Sequence, residues 1–260
     1  MTFSCPELDL NAVLELARRY GYDGIEPRVD ARHQHGIEPD TSPEQRREIR
    51  RQVGASGIQL SCIATSCRFA DPANAAEHAE HARLCVDLAA DVGAPCVRVF
   101  GGKLGEGLSR AAAVRNVAAV LRPLAEHAYQ RKVALCLETH DAWCDPADVA
   151  AVMRAVEHPG LAVNWDIMHP ARMKLATIDQ AFEQLRPWIR HAHVHDDVTR
   201  DGKLSLAPIG QGEIDHRRAV ALLQSAGYAG FMSGEWINWS DAYTVHLPRE
   251  LATLKQYAAR

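Results

Sequence analysis

Long apolar runs are missing from this sequence of 260 residues. No run approaches the roughly 18 consecutive apolar residues that a membrane-spanning helix needs. The first residues also lack the basic segment and the long apolar core that mark a secretory signal peptide. We therefore expect a soluble, cytoplasmic protein that does not enter a membrane.

An excess of positive charge is missing as well. The chain has 29 Lys and Arg residues against 33 Asp and Glu residues, a formal net charge of −4. Proteins that bind nucleic-acid phosphates or anionic membranes are usually basic, so we expect no nucleic-acid partner. Apolar residues make up 47% and charged residues 24% of the chain, which is ordinary globular usage and excludes a disordered protein.

The sequence has no CxxC pair, and its seven cysteines are an odd number. Several of them lie inside apolar runs, as Cys136 does in Val133-Ala-Leu-Cys-Leu. This usage is typical of buried, free thiols in a reducing compartment and not of a disulfide framework.

A glycine-rich nucleotide motif is also missing. No GxGxxG follows the first predicted strand, and the glycines of the 101–107 loop do not have the spacing of a phosphate-binding loop. A doubly wound, nucleotide-binding sheet is therefore the weaker alternative for the fold.

Short apolar runs do alternate with helical segments along the whole chain. Most of the runs are continuous, as in strands covered on both faces. Between them apolar residues recur at helical spacing, for example at Val149, Val152, Met153 and Val156. The predicted strands lie near 2–5, 23–28, 58–64, 96–101, 133–138, 161–166, 189–195 and 230–236. Eight strand–helix pairs in about 250 residues predict an α/β fold, a single (β/α)₈ TIM barrel that spans residues 1–260 as one domain.

Turn residues support these boundaries. Ser42, Pro43 and Gln45 together form the N-terminal signature of a helix, with a capping box and a proline in the first turn. Glycine recurs where a helix is expected to return to the next strand, and it is predicted there as a C-terminal cap. These glycines are Gly21, Gly57, Gly93, Gly160 and Gly227.

Acidic and imidazole side chains follow the last four predicted strands. Glu138 ends the fifth strand, Asp166 the sixth and Glu235 the eighth, and His193 lies late in the seventh. In a parallel barrel the carboxyl ends of all strands meet at one face, where active sites are built. We therefore expect three carboxylates and one imidazole in a single patch.

Three clustered carboxylates are costly unless a cation or protons neutralise them. Ordinary ion pairs at the barrel rim would explain any one of these acids. Four such residues in register on adjacent strands instead favour one divalent metal site. The ligand set is mostly hard, which suits Mn²⁺ or Mg²⁺ and also admits Co²⁺ or Zn²⁺. Mn²⁺ is the expected ion.

Two further histidines follow these strand ends and are candidate substrate contacts. His169 comes three residues after Asp166, and His140 comes two residues after Glu138, so both can face the same cavity. His191 and His195 alternate with His193 along one strand. We expect His191 to be a packed interior residue and His195 to lie at the rim.

Two more charged residues are predicted to reach the same face. Glu26 closes the second strand, and Arg98 lies within the fourth. Each is a candidate substrate contact, although Arg98 could also pair with an acid. Asp196 is a candidate for orienting His193 or His195.

With these residues assembled, the chain resembles the xylose-isomerase-like barrel superfamily of sugar phosphate isomerases and epimerases over essentially its whole length. The resemblance is carried by Leu137-Glu-Thr-His140, Asp166-Ile-Met-His169, His193-Val-His-Asp196, Pro208-Ile-Gly-Gln-Gly-Glu213 and Gly234-Glu-Trp236. It implies that the residues of a ketose 3-epimerase site are present. Glu138, Asp166, His193 and Glu235 would hold one Mn²⁺ or similar ion. Glu138 and Glu235 would also be the acid/base pair, and His169 would contact substrate.

The sequence departs from two patterns within this superfamily. Endonuclease IV, which binds three zinc ions, has an Asp-x-His pair where this chain has Leu204 and Leu206, so DNA repair is the least favoured activity. Ketose 3-epimerases carry an arginine six residues after the metal histidine. Thr199 holds that place here, with Arg200 beside it.

The predicted function is a divalent-metal-dependent isomerase or epimerase that moves a proton next to the carbonyl of a keto-sugar or related polyol through an enediolate. A dehydratase of the inosose or 3-dehydroshikimate type is the alternative, because it begins with the same proton abstraction. A non-catalytic carbohydrate-binding barrel is a third. No phosphate-binding signature follows the last two strands, which favours a non-phosphorylated carbohydrate substrate. A homodimer is the default expectation for a soluble enzyme of this size.

Overall fold

The computed structural model describes residues 1–200, 203–237 and 239–259, and for residues 199–200 and 203–204 it describes the backbone alone. The inferences drawn from the side chains of Thr199 and Leu204 therefore lie outside the described residues.

Short strands alternate with helices along the described chain. The strands are β1 Gly24–Ile25, β2 Gln59–Leu60, β3 Ile63–Arg68, β4 Cys96–Phe100, β5 Ala134–Glu138, β6 Leu161–Asp166, β7 Ile189–Val194, β8 Asp196–Arg200, β9 Lys203–Ala207 and β10 Met232–Gly234. The helices are α1 Leu10–Tyr20, α2 Pro43–Ser56, α3 Ala75–Val92, α4 Arg110–Gln130, α5 Pro146–Val156, α6 Met168–Arg172, α7 Ile178–Leu185, α8 His216–Ser225 and α9 Tyr243–Ala258. Short 3₁₀ turns occupy Thr2–Ser4 and Asp141–Trp143.

Six strands form one parallel sheet in the order β10-β7-β6-β5-β4-β3, and β1 pairs with β2 in parallel. A bridge between Arg28 and Ala64 links the chain after β1 to β3. The sheet curls into a half-barrel surrounded by helices, which confirms the predicted α/β TIM-barrel class. Apolar helix faces cover it: Val149, Val152 and Val156 of α5 are all fully buried.

The predicted first strand at residues 2–5 is wrong, because this segment forms a single 3₁₀ turn. With Met1, it nevertheless bonds through its backbone to β10 and to the residue that follows β1. The Met1 ammonium group donates to the Gly234 carbonyl at 2.9 Å, and the Thr2 N–H donates to the Glu26 carbonyl at 3.0 Å. Pro6 has no N–H and ends the run after four residues, so the segment is too short to supply a regular strand ladder.

The antiparallel hairpin β8–β9 follows β7 directly and was not predicted. A sequence signal for it exists. Asp-Gly, found here at positions 201 and 202 of the sequence, is a dipeptide typical of two-residue hairpin turns, and the segment Lys203-Leu-Ser-Leu-Ala207 after it alternates between polar and apolar residues.

All seven cysteines are free and buried, as predicted from their positions in apolar runs. Within the described ranges, no helix combines the length and the apolar character that crossing a membrane requires.

Glycine ends α1 and α2 as predicted, since Gly21 and Gly57 are left-handed with φ of 82° and 76°. The return after α5 is built differently. Here Glu157 is itself left-handed, with φ of 48°. Gly160 is needed for a different reason, because a Cβ atom there would collide with the backbone carbonyl of Ala125 in α4.

We expect Gly160→Ala to lower the free energy of unfolding by about 1–3 kcal/mol, because backbone atoms cannot yield as a flexible side chain can. Gly54→Ala is the matched control. Gly54 lies inside α2, a Cβ there meets open space, and alanine should stabilise the helix by about 0.5–1 kcal/mol. Urea unfolding of both variants measures the difference. A Gly160→Ala protein as stable as the wild type would contradict the close approach of α4.

Candidate active site

Four adjacent strands carry the predicted metal ligands to one face of the sheet. Glu138 is the last residue of β5, Asp166 is the last of β6, His193 lies in β7, and Glu235 directly follows β10. The parallel register brings them together, because Asp166 pairs with His193 and His193 in turn pairs with Ser233. All four predicted ligands are buried.

One oxygen or nitrogen atom from each of these four side chains lies within 4.8 Å of the others. His193 Nδ1 is 2.7 Å from Glu138 Oε1 and 3.3 Å from Glu235 Oε2. The Oε2 atoms of both glutamates are buried, and neither accepts a well-aligned hydrogen bond from the described residues: Arg98 Nε at 3.2 Å and His193 Nδ1 at 3.3 Å are ion-pair contacts only. A divalent cation would satisfy these oxygens, and three carboxylates with one imidazole form a donor set that suits Mn²⁺ or Mg²⁺. The residues fit a metal ion.

The electrostatics of the cluster also favour a cation. Burial alone would raise the pKa of Asp166, but the facing imidazoles of His195 and His169 outweigh it and lower that pKa below its usual value. Burial likewise opposes ionisation of Glu235, yet His193 and Arg98 bring its pKa down to about 2. Both carboxylates are therefore ionised at neutral pH.

Arg98 lies directly behind the two glutamates and is only 1% exposed. Its Nε is 3.2 Å from Glu138 Oε2, and its Nη2 is 3.9 Å from Glu235 Oε1. Nη1 donates to the Thr65 carbonyl at 2.7 Å, and the guanidinium lies over the Phe100 ring at 4.1 Å. These contacts direct the Arg98 guanidinium towards the two glutamates. Pairing with an acid was one of the two roles predicted for Arg98. The other role, contact with substrate, stays a prediction.

Three imidazoles line one side of the cluster. The ring centroid of His169 is 4.3 Å from that of His140 and 5.5 Å from that of His195. His195 is buried rather than at the rim, and its Nε2 donates to Asp166 Oδ2 at 2.8 Å. His169 Nε2 has no hydrogen-bond partner among the described residues, and it lies 3.7 Å from the same oxygen.

His140 has an acidic neighbour of its own, Asp141, which follows it in the chain. Burial opposes its protonation, but Asp141, 3.0 Å from His140 Nδ1, and the nearby carboxylates raise the pKa of His140 to about 9. His140 and His169 thus lie together beside the cluster of predicted ligands. Their contact with substrate stays a prediction.

Glu26 lies on the opposite side of His193 and is itself 1% exposed. It accepts hydrogen bonds from His191 and His193. Burial would raise the pKa of Glu26, but these two imidazoles lower it well below its usual value. His191 is fully buried, as expected of an interior residue.

Asp196 has a role that the sequence did not suggest. Its carboxylate accepts backbone N–H bonds from Gly210, Gly212 and Ile214, at 2.9–3.1 Å. It therefore anchors the 208–214 loop, whereas the predicted role was to orient His193 or His195. The glycines of the Pro208-Ile-Gly-Gln-Gly motif were the available signal, since a Cβ at Gly212 would collide with Asp196.

Comparison with known proteins identifies the family of the chain. A family model described as "Xylose isomerase-like TIM barrel" matches residues 14–256. L-ribulose-5-phosphate 3-epimerase UlaE of Escherichia coli is 26% identical over 226 residues, which cover 84% of this chain and 78% of that relative.

Two solved structures share the fold. The probable 3-DHS dehydratase AsbF of Bacillus anthracis superposes with a TM-score of 0.80 at 20% identity, covering 98% of this chain and 97% of the other. A xylose isomerase-like TIM barrel protein of Mycobacterium smegmatis, in complex with magnesium, superposes with a TM-score of 0.73 at 20% identity, covering 96% and 88%. The family model covers most of the chain, and the chain therefore belongs to the xylose isomerase-like TIM barrel family.

Proposed function

We propose that the protein is a divalent-metal-dependent isomerase or epimerase that moves a proton next to the carbonyl of a keto-sugar. The observation that carries this proposal is the buried cluster of Glu138, Asp166, His193 and Glu235, in which two glutamate oxygens have no hydrogen-bond partner among the described residues. The relative UlaE is a sugar epimerase, which supports the same reaction class.

The four residues of the cluster would hold the ion. When bound, a divalent cation supplies Lewis-acid stabilisation of the negative charge that develops on the substrate oxygen. Mn²⁺ is the proposed ion and Mg²⁺ the closest alternative, because the ligand set is rich in carboxylate oxygen.

Glu138 and Glu235 would perform the proton transfers. A carboxylate must be ionised to accept a proton, and the pKa of about 2 at Glu235 meets this condition. One glutamate, ionised, would take the α-proton, and the other, which must carry a proton at that stage, would return it to the opposite face of the planar enediolate; exchange of protons with solvent would then restore the pair. Arg98 touches both carboxylates, so their positions relative to each other are held by a buried cation.

A dehydratase is the second candidate, because AsbF shares the fold and such a reaction starts with the same α-proton abstraction. It would then expel a hydroxyl group instead of reprotonating carbon. Appearance of an enone absorbance distinguishes it from an epimerase, whose product has no new conjugation.

The proposed substrate is a non-phosphorylated keto-sugar, although UlaE is named for a phosphorylated one. Two arginines that could have bound phosphate are engaged elsewhere: Arg172 Nε is 3.0 Å from Asp197, and Arg217 lies over the Tyr257 ring at 4.6 Å. A substrate screen should contain free and phosphorylated ketoses side by side.

We expect the wild-type protein to carry one divalent ion per chain and Asp166→Ala to lose most of it, because Asp166 is a buried ligand whose removal opens the site. Asp179→Ala is the control, since Asp179 is exposed and pairs with Arg218 at the surface. Elemental analysis of the three purified proteins measures the content, and epimerase activity on the ketose screen should follow it.

Two results would overturn the proposal. Three zinc ions per chain would indicate a nuclease-type centre. Absence of bound metal after reconstitution with Mn²⁺, Mg²⁺, Co²⁺ and Zn²⁺ would remove the basis of the reaction and leave a binding barrel as the better account.

A further inference from the structure

His193 is held from both sides of its ring. On one side, Nδ1 faces Glu138 Oε1 at 2.7 Å and Glu235 Oε2 at 3.3 Å. On the other side, Nε2 lies 3.1 and 3.2 Å from the two oxygens of Glu26. Glu26 follows β1 and is 167 residues away from His193 in sequence. It is the carboxylate that faces the ring nitrogen pointing away from the metal cluster.

Glu26 contacts a second imidazole, that of His191, and the two contacts together indicate which ring nitrogens carry hydrogen. His191 Nε2 donates to Glu26 Oε2 at 2.9 Å. An ionised carboxylate accepts hydrogen bonds and cannot donate them, so both imidazoles must carry hydrogen on Nε2. A neutral imidazole has a single N–H. By the same rule Nδ1 can hold hydrogen towards Glu138 in the metal-free protein, and a cation bound by Glu138 and Glu235 would displace that hydrogen, leaving a neutral ring with hydrogen on Nε2 and the lone pair of Nδ1 on the metal.

We propose that Glu26 is a positioning residue that holds His193 in the Nε2–H tautomer, so that Nδ1 is the atom available to the divalent cation. The inference rests on the proposed function for the existence of the metal site. It adds the atom through which His193 binds and the residue that selects it. Carboxylate partners of metal-bound histidines fix the ring orientation and raise the basicity of the ligand in this way.

A glutamine at position 26 cannot reproduce the arrangement. Its amide has one acceptor oxygen and an NH₂ group, whereas two N–H donors point at this side chain. Because His193 Nε2 lies 3.1 and 3.2 Å from the two oxygens of Glu26, the NH₂ group would face the His193 N–H in either orientation of the amide, and His193 would have to change tautomer or rotate. If it changes tautomer, hydrogen moves to Nδ1, the position that the cation needs.

The first test uses the wild-type protein and needs no variant. Protein labelled with ¹⁵N in histidine is stripped with a chelator and loaded with Zn²⁺, which is diamagnetic. Long-range ¹H–¹⁵N spectra then report the state of each ring nitrogen, with His193 assigned from the signals missing in His193→Gln. We expect hydrogen on Nε2 and the metal on Nδ1. A metal-bound Nε2 would overturn the proposal.

The second test measures metal affinity in Glu26→Gln by calorimetric titration of stripped protein with Mn²⁺. We expect a loss of about 10–100-fold relative to the wild type. The matched control is Glu250→Gln, which makes the same change in another buried carboxylate. Glu250 accepts from the Ile209 N–H and from Arg249, both at 2.7 Å, and it is not part of the cluster. Glu250→Gln should leave the Mn²⁺ affinity unchanged.

The outcomes separate this inference from the proposed function. If wild-type protein binds no metal, the proposed function fails and the inference fails with it. If wild type and Glu26→Gln bind Mn²⁺ equally well, only the inference fails. A variant that binds Mn²⁺ normally but has a raised KM at saturating metal would overturn the positioning role in favour of a substrate contact, the role predicted from the sequence.

Discussion

Glu138→Gln and Glu235→Gln should each lower the rate of epimerisation by about 10²–10⁴-fold, the usual contribution of a positioned acid or base. Both glutamates lie in the buried cluster, and neither can accept a proton as the amide. The most direct measurement is made in D₂O, where NMR detects deuterium from solvent at the α-carbon of the substrate. Mg²⁺ is the metal ion in this experiment. The variant that lacks the base should lose exchange altogether. The variant that lacks only the returning acid should still exchange the α-proton without forming product.

Loss of metal must be separated from loss of proton transfer in this experiment. Each variant is therefore assayed at a series of metal concentrations up to saturation, and its metal content is determined in parallel. Glu183→Gln is the control, because Glu183 is an exposed residue of α7 that pairs with Arg186. Deuterium exchange and turnover that persist in both cluster variants at saturating metal would remove the two-glutamate scheme.

The cluster could be predicted from the sequence because its positions follow from strand topology. Glu138 and Asp166 end compact apolar runs, and parallel strands deliver their carboxyl ends to one face. His193 and Glu235 follow the same rule. Side-chain rotamers need not be known to place these four residues near each other, because each one lies at or near the carboxyl end of its strand.

Contacts between side chains from distant segments could not be predicted in this way. The sequence placed Glu26 and Arg98 at the correct face but does not show which group each one touches. Glu26 turns to His193 and His191, and Arg98 turns to Glu138 and Glu235. Those choices depend on rotamers and on which buried charges can neutralise each other, and both are properties of the assembled barrel.

The edges of the sheet were the other point where the sequence signal failed. Residues 2–5 are too few to show any period, and their hydrogen bonds go to Gly234 and Glu26, far away in the chain. The β8–β9 hairpin was missed for the opposite reason. Its signal is local, but the hairpin begins directly after the predicted seventh strand, which ends at residue 195, and so it fell in what was predicted as a loop.

Arg98→Met should lower the free energy of unfolding of the metal-free protein by about 3–5 kcal/mol at neutral pH, because it removes the guanidinium that pairs with two buried carboxylates and leaves only His193 to face them. Arg98 is 1% exposed and is within 4 Å of both Glu138 and Glu235. In the folded protein the pKa of Glu235 is about 2, below its usual value. Ionised Glu235 therefore stabilises the folded protein at any pH above its unfolded-state pKa. This stabilisation is lost as pH falls through the folded-state pKa. Removing the guanidinium raises that pKa. The deficit of the variant should therefore be full at neutral pH and shrink in acid, as Glu235 becomes neutral.

Two controls accompany this prediction: addition of Mn²⁺ to the variant, and substitution of an exposed arginine. Mn²⁺ should restore part of the lost stability, because a divalent ion in the cluster neutralises the same carboxylates that Arg98 faces. Arg218→Met removes an exposed arginine that pairs with Asp179, and it should change urea unfolding little at any pH. If Arg98→Met were as stable as Arg218→Met in the absence of metal, the pairing of Arg98 with the two glutamates would contribute nothing to the stability of the folded protein. The role given to Arg98 as the buried cation that holds these two carboxylates would then fail, and testing it needs no substrate.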